Sequence, residues 1–520
     1  MTNYKIFFKL SLPMAGKELG YSPSVEQLSL RKIQSDCGLF GVFYPHHDVR
    51  PLAYRAGTDL QHRAEGAAGM YASNGGESDT YRNLGTVAVA FQEGRRLPNI
   101  QEAHIAILHT RYPTAGGSNH IPNIQPMTLD GITLGHHGNL TNATELRSNM
   151  RDVAIGGEFP DNDSWLALNA IVRADGVTLA DKVVNAQRGF EGGWAFIISD
   201  GKKIVASRDP YGTRPLSVAS LGPQKSPEGY LVSVETAPFD NLGAHDYREI
   251  LPGETVVIDE NGLRTVDMNP KGGKSCIFEF VYMMSPKSEF MGQNVTMARR
   301  RAGELLWREH PITPKEGERI IVMGVPDSGR QSALGYFHQA QEEFGIKFTY
   351  DEGLIANRYF GRNFIKASGE RAANLKFYTI RELIEGKIIV IVDDSLVRGE
   401  TTCDNAEKMI DDGAKEVHVR VASPEIKHPC YWGVAFSRYR ELIASRIPDV
   451  GDRVRHLGVS SLGHLSLRGL FEAVGMTSEQ AIYAAEQDNT KFCTHCFDGN
   501  GPEIKNHGTI ELREIQKATA

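Results

Sequence analysis

One stretch, from Gly386 to Thr402, constrains the fold more than any other part of the chain; it reads GKIIVIVDDSLVRGETT. The run of branched apolar residues from Ile388 to Val392 is typical of a strand buried on both faces. Asp393 and Asp394 follow where that strand ends, and a hydroxyl-rich loop comes next. The segment DNAEKMIDDG then predicts a helix that a glycine terminates.

This strand, loop and helix suit a phosphorylated sugar. Open α/β sheets bind ligands beyond the carboxyl ends of their strands, and a loop at a helix N-terminus suits a phosphate. Carboxylates beside such a loop suit ribose hydroxyls, or a magnesium ion bound through water. An ordinary solvated sheet edge is the alternative, and paired carboxylates followed by this loop argue against it. We therefore predict a ribose 5-phosphate pocket whose loop residues are Ser395, Arg398, Gly399, Thr401 and Thr402.

The stretch closely resembles the phosphoribosyl pyrophosphate (PRPP) motif of type I phosphoribosyltransferases. A second strand is predicted from Ile320 to Gly324, followed by a polar turn that contains Asp327, Ser328 and Arg330. Such a turn can hold a pyrophosphate, although many strand–helix turns look alike. Strand and helix patterns alternate from about residue 271 onward, beginning with a strand at CIFEF. The resemblance implies an α/β type I phosphoribosyltransferase domain over residues 271–490, with magnesium at Asp393 and Asp394.

Composition places the chain among soluble globular proteins. Its 520 residues suffice for several domains, and its net charge of -7 favours neither nucleic acid nor a membrane surface as a partner. The sequence has no apolar run long enough to cross a bilayer. Residues 1–36 are polar and indicate an unstructured leader rather than a signal peptide. We therefore expect a cytoplasmic protein with reduced cysteines.

The N-terminal half carries separated motifs of one known kind. In chain order they are CGLFGVFYP from Cys37, LQHRAEGAAGM, HTRYPTAGGS, GHHGNLTN and RDPYGTRPL. Together they resemble the class II, or N-terminal-nucleophile, glutamine amidotransferases. The resemblance implies an α+β N-terminal-nucleophile sandwich (a glutaminase) over residues 37–270, with Cys37 as nucleophile and its own α-amino group as base. It also implies removal of residues 1–36, or translation from a later start such as Met14.

The same resemblance assigns the other glutaminase residues. Arg111 matches the arginine that holds the glutamine carboxylate, and Asp163 matches the acid that receives the glutamine α-amino group. Gly138 matches the glycine whose N–H helps to form the oxyanion hole. The oxyanion side chain is usually Asn in that family, whereas this chain has His137, which can still donate a hydrogen bond.

Two further segments resemble the amidophosphoribosyltransferase family, as does the order of the two halves. They are EGLIANRYFGRNFI and, near the C-terminus, GVSSLGHLSLRGLFEAVG. The resemblance implies transfer of glutamine-derived ammonia to PRPP, giving 5-phosphoribosylamine, glutamate and pyrophosphate. It also implies a homo-oligomer, specifically a tetramer.

Six cysteines allow a metal site. The pair in FCTHC could by itself be a zinc knuckle, a redox pair or a coincidence. In part of the resembled family, four cysteines in matching contexts hold a [4Fe–4S] cluster; zinc is the second candidate. Those four are Cys276, Cys430, Cys493 and Cys496, the last two in a C-terminal segment over residues 491–520. Cys403 is interpreted as a small helix residue.

The segment after Phe364 departs from the family pattern. The family has a basic loop that closes over PRPP there, whereas only Lys366, Arg371 and Lys376 remain here, and Ala356 stands where a basic residue is expected. This erosion favours an alternative, a paralogue that binds PRPP or nucleotides as a regulatory module without transfer. A different amidotransferase with another acceptor is a second alternative.

Overall fold

The computed structural model describes residues 37–111, 120–150, 152–357, 377–436, 438–487 and 491–503. Antiparallel sheets form the N-terminal half, and a parallel sheet forms the C-terminal half. The predicted sandwich followed by an α/β domain is thus confirmed. The predictions for residues 1–36 and for Lys366, Arg371 and Lys376 fall outside the described residues.

The N-terminal half packs two antiparallel sheets face to face. Its strands are β1 (Gly38–Phe43), β2 (Ala67–Ser73), β3 (Ser78–Leu84), β4 (Ile105–Arg111), β5 (Met127–Leu129), β6 (Ile132–Leu140), β7 (Gly192–Ser199), β8 (Ile204–Arg208), β9 (Ser217–Leu221), β10 (Gly229–Ser233), β11 (His245–Glu249), β12 (Glu254–Asp259) and β13 (Gly262–Met268). Its helices are α1 (Arg50–Asp59), α2 (Val87–Ala90), α3 (Ala143–Asn149), α4 (Asp163–Arg173), α5 (Leu179–Gln187) and α6 (Ala237–Asn241). The strand orders are β11-β9-β10-β1-β4-β2-β3 and β13-β12-β8-β7-β6-β5.

Burial explains why these strands form. All six residues of β1 are buried, because one face of the strand meets the second sheet and the other faces α1. The two sheets share a core that includes Leu39, Ile107 and Ile197. The outer face of the second sheet packs against α4 and α5 through residues such as Phe196 and Leu166. The sandwich therefore has helices on its outer faces and apolar residues between its sheets.

The C-terminal half is built on one parallel sheet with strand order β18-β17-β21-β22-β23. The strands of this half are β14 (Ser275–Cys276), β15 (Glu289–Phe290), β16 (Gln293–Asn294), β17 (Ile320–Gly324), β18 (Phe348–Tyr350), β19 (Leu354–Ala356), β20 (Phe377–Thr379), β21 (Ile388–Asp393), β22 (Glu416–Val421), β23 (Ser461–His464) and β24 (Phe492–Cys493). The helices are α7 (Val295–Glu309), α8 (Arg330–Phe344), α9 (Arg381–Ile384), α10 (Glu400–Asp411), α11 (Ile443–Arg446), α12 (Val450–Leu457), α13 (Leu467–Ala473), α14 (Ser478–Gln487) and α15 (His495–Asp498).

The central strand, β21, is the apolar run that the sequence singles out. It lies between β17 and β22. Its apolar residues alternate between two separate hydrophobic cores, one on each face of the sheet. This double burial requires the unbroken apolar run. The polar turn after β17 and the paired carboxylates after β21 consequently lie side by side at one edge of the sheet.

Two local predictions are wrong in detail. The helix after the phosphate loop begins at Glu400, so Thr401 and Thr402 form its first turn rather than the loop. The left-handed conformation of Gly399, with φ of 88°, starts the helix earlier than the apolar spacing suggests. The strand expected at CIFEF ends at Cys276, and a π-helical turn over Glu279–Met283 follows. Arg299 stabilises that turn by donating to the carbonyls of Phe280 and Met284 at 2.7 and 2.9 Å.

Among the described residues, no helix is both long and apolar enough to span a bilayer.

Candidate active sites and cysteine cluster

Cys37 lies directly before β1, opposite the end of β4. In the register of these strands Gly38 faces Thr110, which brings Cys37 next to Arg111. The backbone N–H of Gly38 also donates to the Thr110 hydroxyl at 3.0 Å, which fixes the chain beside the thiol. Burial lowers the pKa of Arg111, and the charge of a Cys37 thiolate opposes that shift. The structure therefore brings together the predicted nucleophile and the predicted carboxylate-binding arginine.

Gly138 lies on β6 where only glycine fits. Its φ is +139°, and a Cβ atom at this position would lie 2.1 Å from the carbonyl oxygen of Gly193 on β7. The next residue, Asn139, donates from Nδ2 to the carbonyl of Tyr431 in the C-terminal half at 2.8 Å. The predicted oxyanion segment thus lies at the junction of the two halves.

His137 is completely buried on the same strand. Its Nε2 lies 3.5 Å from Nη2 of Arg63. Burial, followed by the charges of Arg63 and Arg214, holds the pKa of His137 well below its usual range. The imidazole is therefore neutral at physiological pH, and a neutral ring has one N–H to donate.

Asp163 is the first residue of α4, which Asn162 caps by accepting a bond from the N–H of Trp165 at 3.0 Å. One oxygen of Asp163 accepts from the N–H of Leu140 at 3.0 Å, and the other accepts from the N–H of Ser164 at 2.9 Å. Leu140 is the last residue of β6, so this carboxylate lies close beyond the oxyanion segment.

An ion-pair network that sequence reasoning missed lies behind His137. Glu279, in the π-helical turn of the C-terminal half, pairs with Arg63 at 3.3 Å and with Arg214 at 3.5 Å. Glu235 also pairs with Arg63, at 2.5 Å, and with His62 at 2.8 Å. The signal available in the sequence is one carboxylate within the apolar run CIFEFVYMM. A charge buried in this way requires partners, and the other half of the chain supplies them.

In the C-terminal half, Asp394 joins the two predicted phosphate-binding turns. Its side chain accepts from the hydroxyl of Ser328 at 2.5 Å and from the hydroxyl of Ser395 at 2.7 Å. Asp394 is 5% exposed, whereas Asp393 beside it is only half-buried. The N–H of Asp394 donates to Asp393 at 2.9 Å, so the two carboxylates have different surroundings.

The turn after β17 packs tightly against the end of β21. A Cβ atom on Gly329 would lie 2.3 Å from the carbonyl oxygen of Val392, so this approach requires glycine. Arg330 begins α8, where its guanidinium pairs with Asp327 at 3.2 Å and with Glu352 at 3.5 Å. The predicted pyrophosphate residues therefore lie together beside the paired carboxylates.

The loop after Asp394 ends at Gly399, which packs against Ile443 and precedes α10. Arg398 pairs with Glu441 at 3.1 Å, and its carbonyl accepts from Arg446 at 2.7 Å. Thr402 is buried, and Thr401 is partly exposed in the first helical turn. These contacts fix the N-terminus of a twelve-residue helix, α10, whose first N–H groups have no intrahelical partners and suit a phosphate.

Four cysteines from three segments of the chain lie near one another. β14 and β24 pair in parallel with Cys276 opposite Cys493. Burial raises the pKa of Cys493 and of Cys496 well above the usual value, and the neighbouring cysteines, Cys430 among them, raise both further. All six cysteines of the chain lie in the described ranges, and none of them forms a disulfide there.

The donor chemistry of this cluster fits a metal centre that binds thiolates. A bound metal would favour the thiolate form of these cysteines. Its positive charge would offset the burial and the mutual repulsion that disfavour thiolates in this cluster. The backbone around Cys496 is already organised, since its carbonyl accepts from the N–H groups of Lys427 and His428 at 2.8 and 3.1 Å. Within the described ranges, however, no three or more His, Cys, Asp or Glu side chains form a group that could hold a metal ion as they stand.

Comparison with known proteins agrees with both halves. Residues 118–226 match a glutamine amidotransferase domain family. The amidophosphoribosyltransferase of Mycobacterium bovis is 36% identical over 506 residues, which cover 94% of this chain and 90% of that protein. The amidophosphoribosyltransferase of Bacillus subtilis is 34% identical over 483 residues, which cover 91% of this chain and 95% of that protein.

A solved structure agrees as well. Glutamine PRPP amidotransferase from B. subtilis, complexed with ADP and GMP, superimposes with a TM-score of 0.78 and 32% identity, covering 90% of this chain and 97% of that one. The fold and its two sites define a glutamine amidotransferase domain joined to a type I phosphoribosyltransferase domain. The relatives match over both domains and nearly their whole lengths. The chain belongs to the amidophosphoribosyltransferase family.

Proposed function

We propose that this chain transfers ammonia from glutamine to PRPP, giving 5-phosphoribosylamine, glutamate and pyrophosphate. This reaction is the first step of de novo purine synthesis. The observation that carries the proposal is that one chain of this family builds both sites, the Cys37–Arg111 pair and the turns that Asp394 joins. A regulatory paralogue would not need a nucleophile placed beside a carboxylate-binding arginine.

In the glutaminase half, Cys37 is the nucleophile once the residues before it have been removed. Its α-amino group takes the thiol proton, and the sulfur attacks the amide carbon of glutamine. Arg111 holds the glutamine carboxylate, and Asp163 receives its α-amino group. His137 and the N–H of Gly138 donate to the oxyanion. The amino group returns the proton to the leaving nitrogen, ammonia departs, and water hydrolyses the thioester to glutamate.

In the transferase half, the ammonia nitrogen attacks C1 of PRPP and pyrophosphate leaves from the opposite face, which inverts that carbon. Asp393 and Asp394 contact the ribose, while Asp327, Ser328 and Arg330 contact the pyrophosphate. The residues that hold the 5-phosphate are Ser395, Arg398, Gly399, Thr401 and Thr402. Positioning and charge neutralisation account for most of the rate acceleration in such a transfer.

Asp393 and Asp394 are the residues that would hold magnesium. A bound ion would supply neutralisation of the charge that develops on the departing pyrophosphate. Asp394 already accepts from the Ser328 and Ser395 hydroxyls, so its main contribution is to hold the two turns in position. The more exposed Asp393 is the better placed of the two for outer-sphere contacts.

We further propose that the chain works as a cytoplasmic homo-oligomer, with tetramers expected from the family resemblance. Size-exclusion chromatography with light scattering measures this state directly.

The cysteine cluster is proposed to hold a structural [4Fe–4S] centre, with zinc as the second candidate. Protein purified without oxygen is expected to be brown, with broad visible absorption and about four iron atoms per chain. Replacing Cys493 by serine should remove the colour, because this residue lies opposite Cys276 and near Cys430 in the buried cluster. The same change at Cys403, on α10, should leave iron content unaltered. A colourless preparation that contains stoichiometric zinc would contradict the iron–sulfur assignment.

The function is tested by measuring pyrophosphate release from magnesium–PRPP, once with glutamine and once with ammonium. Release with both donors is the expected result. Release with ammonium alone would indicate a working transferase whose Cys37 still lacks a free amino group, and mass spectrometry of the N-terminus would detect this. No release with either donor, from folded protein with its cysteine site filled, would contradict the proposal in favour of a binding paralogue.

A further inference from the structure

The contact between His137 and Arg63 determines which nitrogen of the imidazole carries the proton. An arginine side chain can only donate hydrogen bonds, so Nε2 of His137, 3.5 Å from Nη2 of Arg63, must be the acceptor. The single proton of the neutral ring then resides on Nδ1. Among the described residues Nδ1 has no hydrogen-bond partner, although His137 is completely buried. A buried N–H without a partner is destabilising, and such a group indicates a function that supplies the missing acceptor.

Arg63 is oriented by carboxylates from both halves of the chain. Glu235, from the N-terminal half, pairs with Nη1. Glu279, from the C-terminal half, accepts from Nη2 through both of its oxygens at 3.3 Å, and one of these oxygens also accepts from Nη1 at 3.3 Å. Since Nη2 is the nitrogen that faces His137, Glu279 orients the donor that sets the tautomer. Arg63 and Glu279 are fully buried, so their attraction is little screened by solvent.

We propose that Glu279 is a positioning residue for glutamine hydrolysis. It fixes Arg63, Arg63 keeps Nε2 of His137 as an acceptor, and the Nδ1–H remains available for the oxyanion of the tetrahedral intermediate. This inference rests on the proposed function, in which His137 is an oxyanion donor. It follows that the transferase half completes the glutaminase site through a side chain that never touches glutamine.

A double-mutant cycle tests this chain of contacts. Glu279→Gln preserves volume but removes the charge that holds Nη2, so the other tautomer becomes accessible. In the natural His137 background, kcat for glutamine hydrolysis is expected to fall by about tenfold or more, with KM for glutamine little changed. In a His137→Asn background the same change should cost less than about threefold, because an amide N–H has no tautomer to lose.

For each variant, the rate of phosphoribosylamine synthesis from ammonium serves as the internal reference, because this reaction does not use the glutaminase site. Glu254→Gln is the matched control, since Glu254 is 3% exposed and pairs with Arg248 at 2.8 Å within the N-terminal half. Its effect on glutamine hydrolysis should be equal in the natural and the His137→Asn backgrounds. Nitrogen-15 NMR of labelled histidine should show the Nδ1–H form in the natural protein and a mixture of tautomers in Glu279→Gln.

Equal losses from Glu279→Gln in both backgrounds, or an Nε2–H tautomer in the natural protein, would overturn the inference. If Glu279→Gln does not fold, Glu279→Asp retains the charge while shortening its reach, and the same cycle applies. Absence of glutamine hydrolysis by the natural protein after maturation would instead refute the proposed glutaminase function. Hydrolysis with additive mutational effects would refute this inference alone.

Discussion

Replacing Cys37 by alanine is expected to abolish glutamine-dependent synthesis of phosphoribosylamine and to preserve synthesis from ammonium. Loss of a catalytic nucleophile lowers kcat by about 10⁴-fold or more, since binding alone cannot break the amide. The fold should survive, because β1 begins one residue later and is paired on both sides, with β4 and with β10. The measurement is steady-state product formation with each nitrogen donor at saturating PRPP.

Cys403→Ala is the appropriate control for this prediction, because Cys403 lies on α10 in the other half of the chain, where its sulfur is 3.8 Å from the carbonyl of His456. Both donors should support nearly natural rates in that variant. Retention of the glutamine-dependent rate in Cys37→Ala would show that another group performs the attack. Loss of both rates would show that the thiol supports the fold or the transferase site.

Local sequence patterns were sufficient to predict that the polar turn after β17 and the carboxylates after β21 lie side by side. The apolar run before Asp393 requires a strand buried on both faces, and the structure has β21 at the centre of the parallel sheet. The turn before α8 then has to lie beside the end of β21, because neighbouring parallel strands present their carboxyl ends at one edge. Each of these steps depends on residues that are near one another in the chain or on a general rule of sheet topology.

The network behind His137 could not be predicted in this way. Arg63 and Glu279 are 216 residues apart and belong to different halves, so no periodicity or spacing connects them. Resemblance to a family identified position 137 but not the side chains that orient it. Only the packed structure shows that the lone carboxylate of CIFEFVYMM faces into the N-terminal half.

Two boundaries of secondary-structure elements were predicted wrongly for a related reason. Apolar spacing identifies the buried face of α10, whereas its start depends on the backbone conformation of Gly399. Ile443 fills the space that a side chain at position 399 would need, so the tertiary packing here also requires glycine. The π-helical turn at Glu279 similarly depends on Arg299, a residue of the following helix. Its side chain donates hydrogen bonds to the carbonyls of Phe280 and Met284. Tertiary contacts therefore decide both boundaries.

Replacing Asp394 by asparagine is the second large-effect prediction, and it should impair transfer from both nitrogen donors. The carboxylate accepts from Ser328 and Ser395, and hydrogen bonds to a charged group contribute about 1.5–3 kcal/mol each. An amide retains one acceptor oxygen, so at least one bond is weakened and the two turns lose their common anchor. We expect kcat/KM for PRPP to fall by about 100-fold, equivalent to about 2.7 kcal/mol of transition-state stabilisation. Steady-state kinetics with ammonium as the donor isolates this effect from the glutaminase.

Two companion variants separate the structural contribution of Asp394 from its charge. Asp393→Asn should reduce transfer with a smaller change in Tm, because Asp393 is more exposed than Asp394. Asp411→Asn, at the exposed end of α10, should alter neither quantity. Glutamine hydrolysis measured without PRPP should persist in all three variants, since Cys37 and Arg111 lie in the other half. A natural rate of transfer in Asp394→Asn would show that the serine contacts are dispensable, and that the two turns hold PRPP without a shared carboxylate.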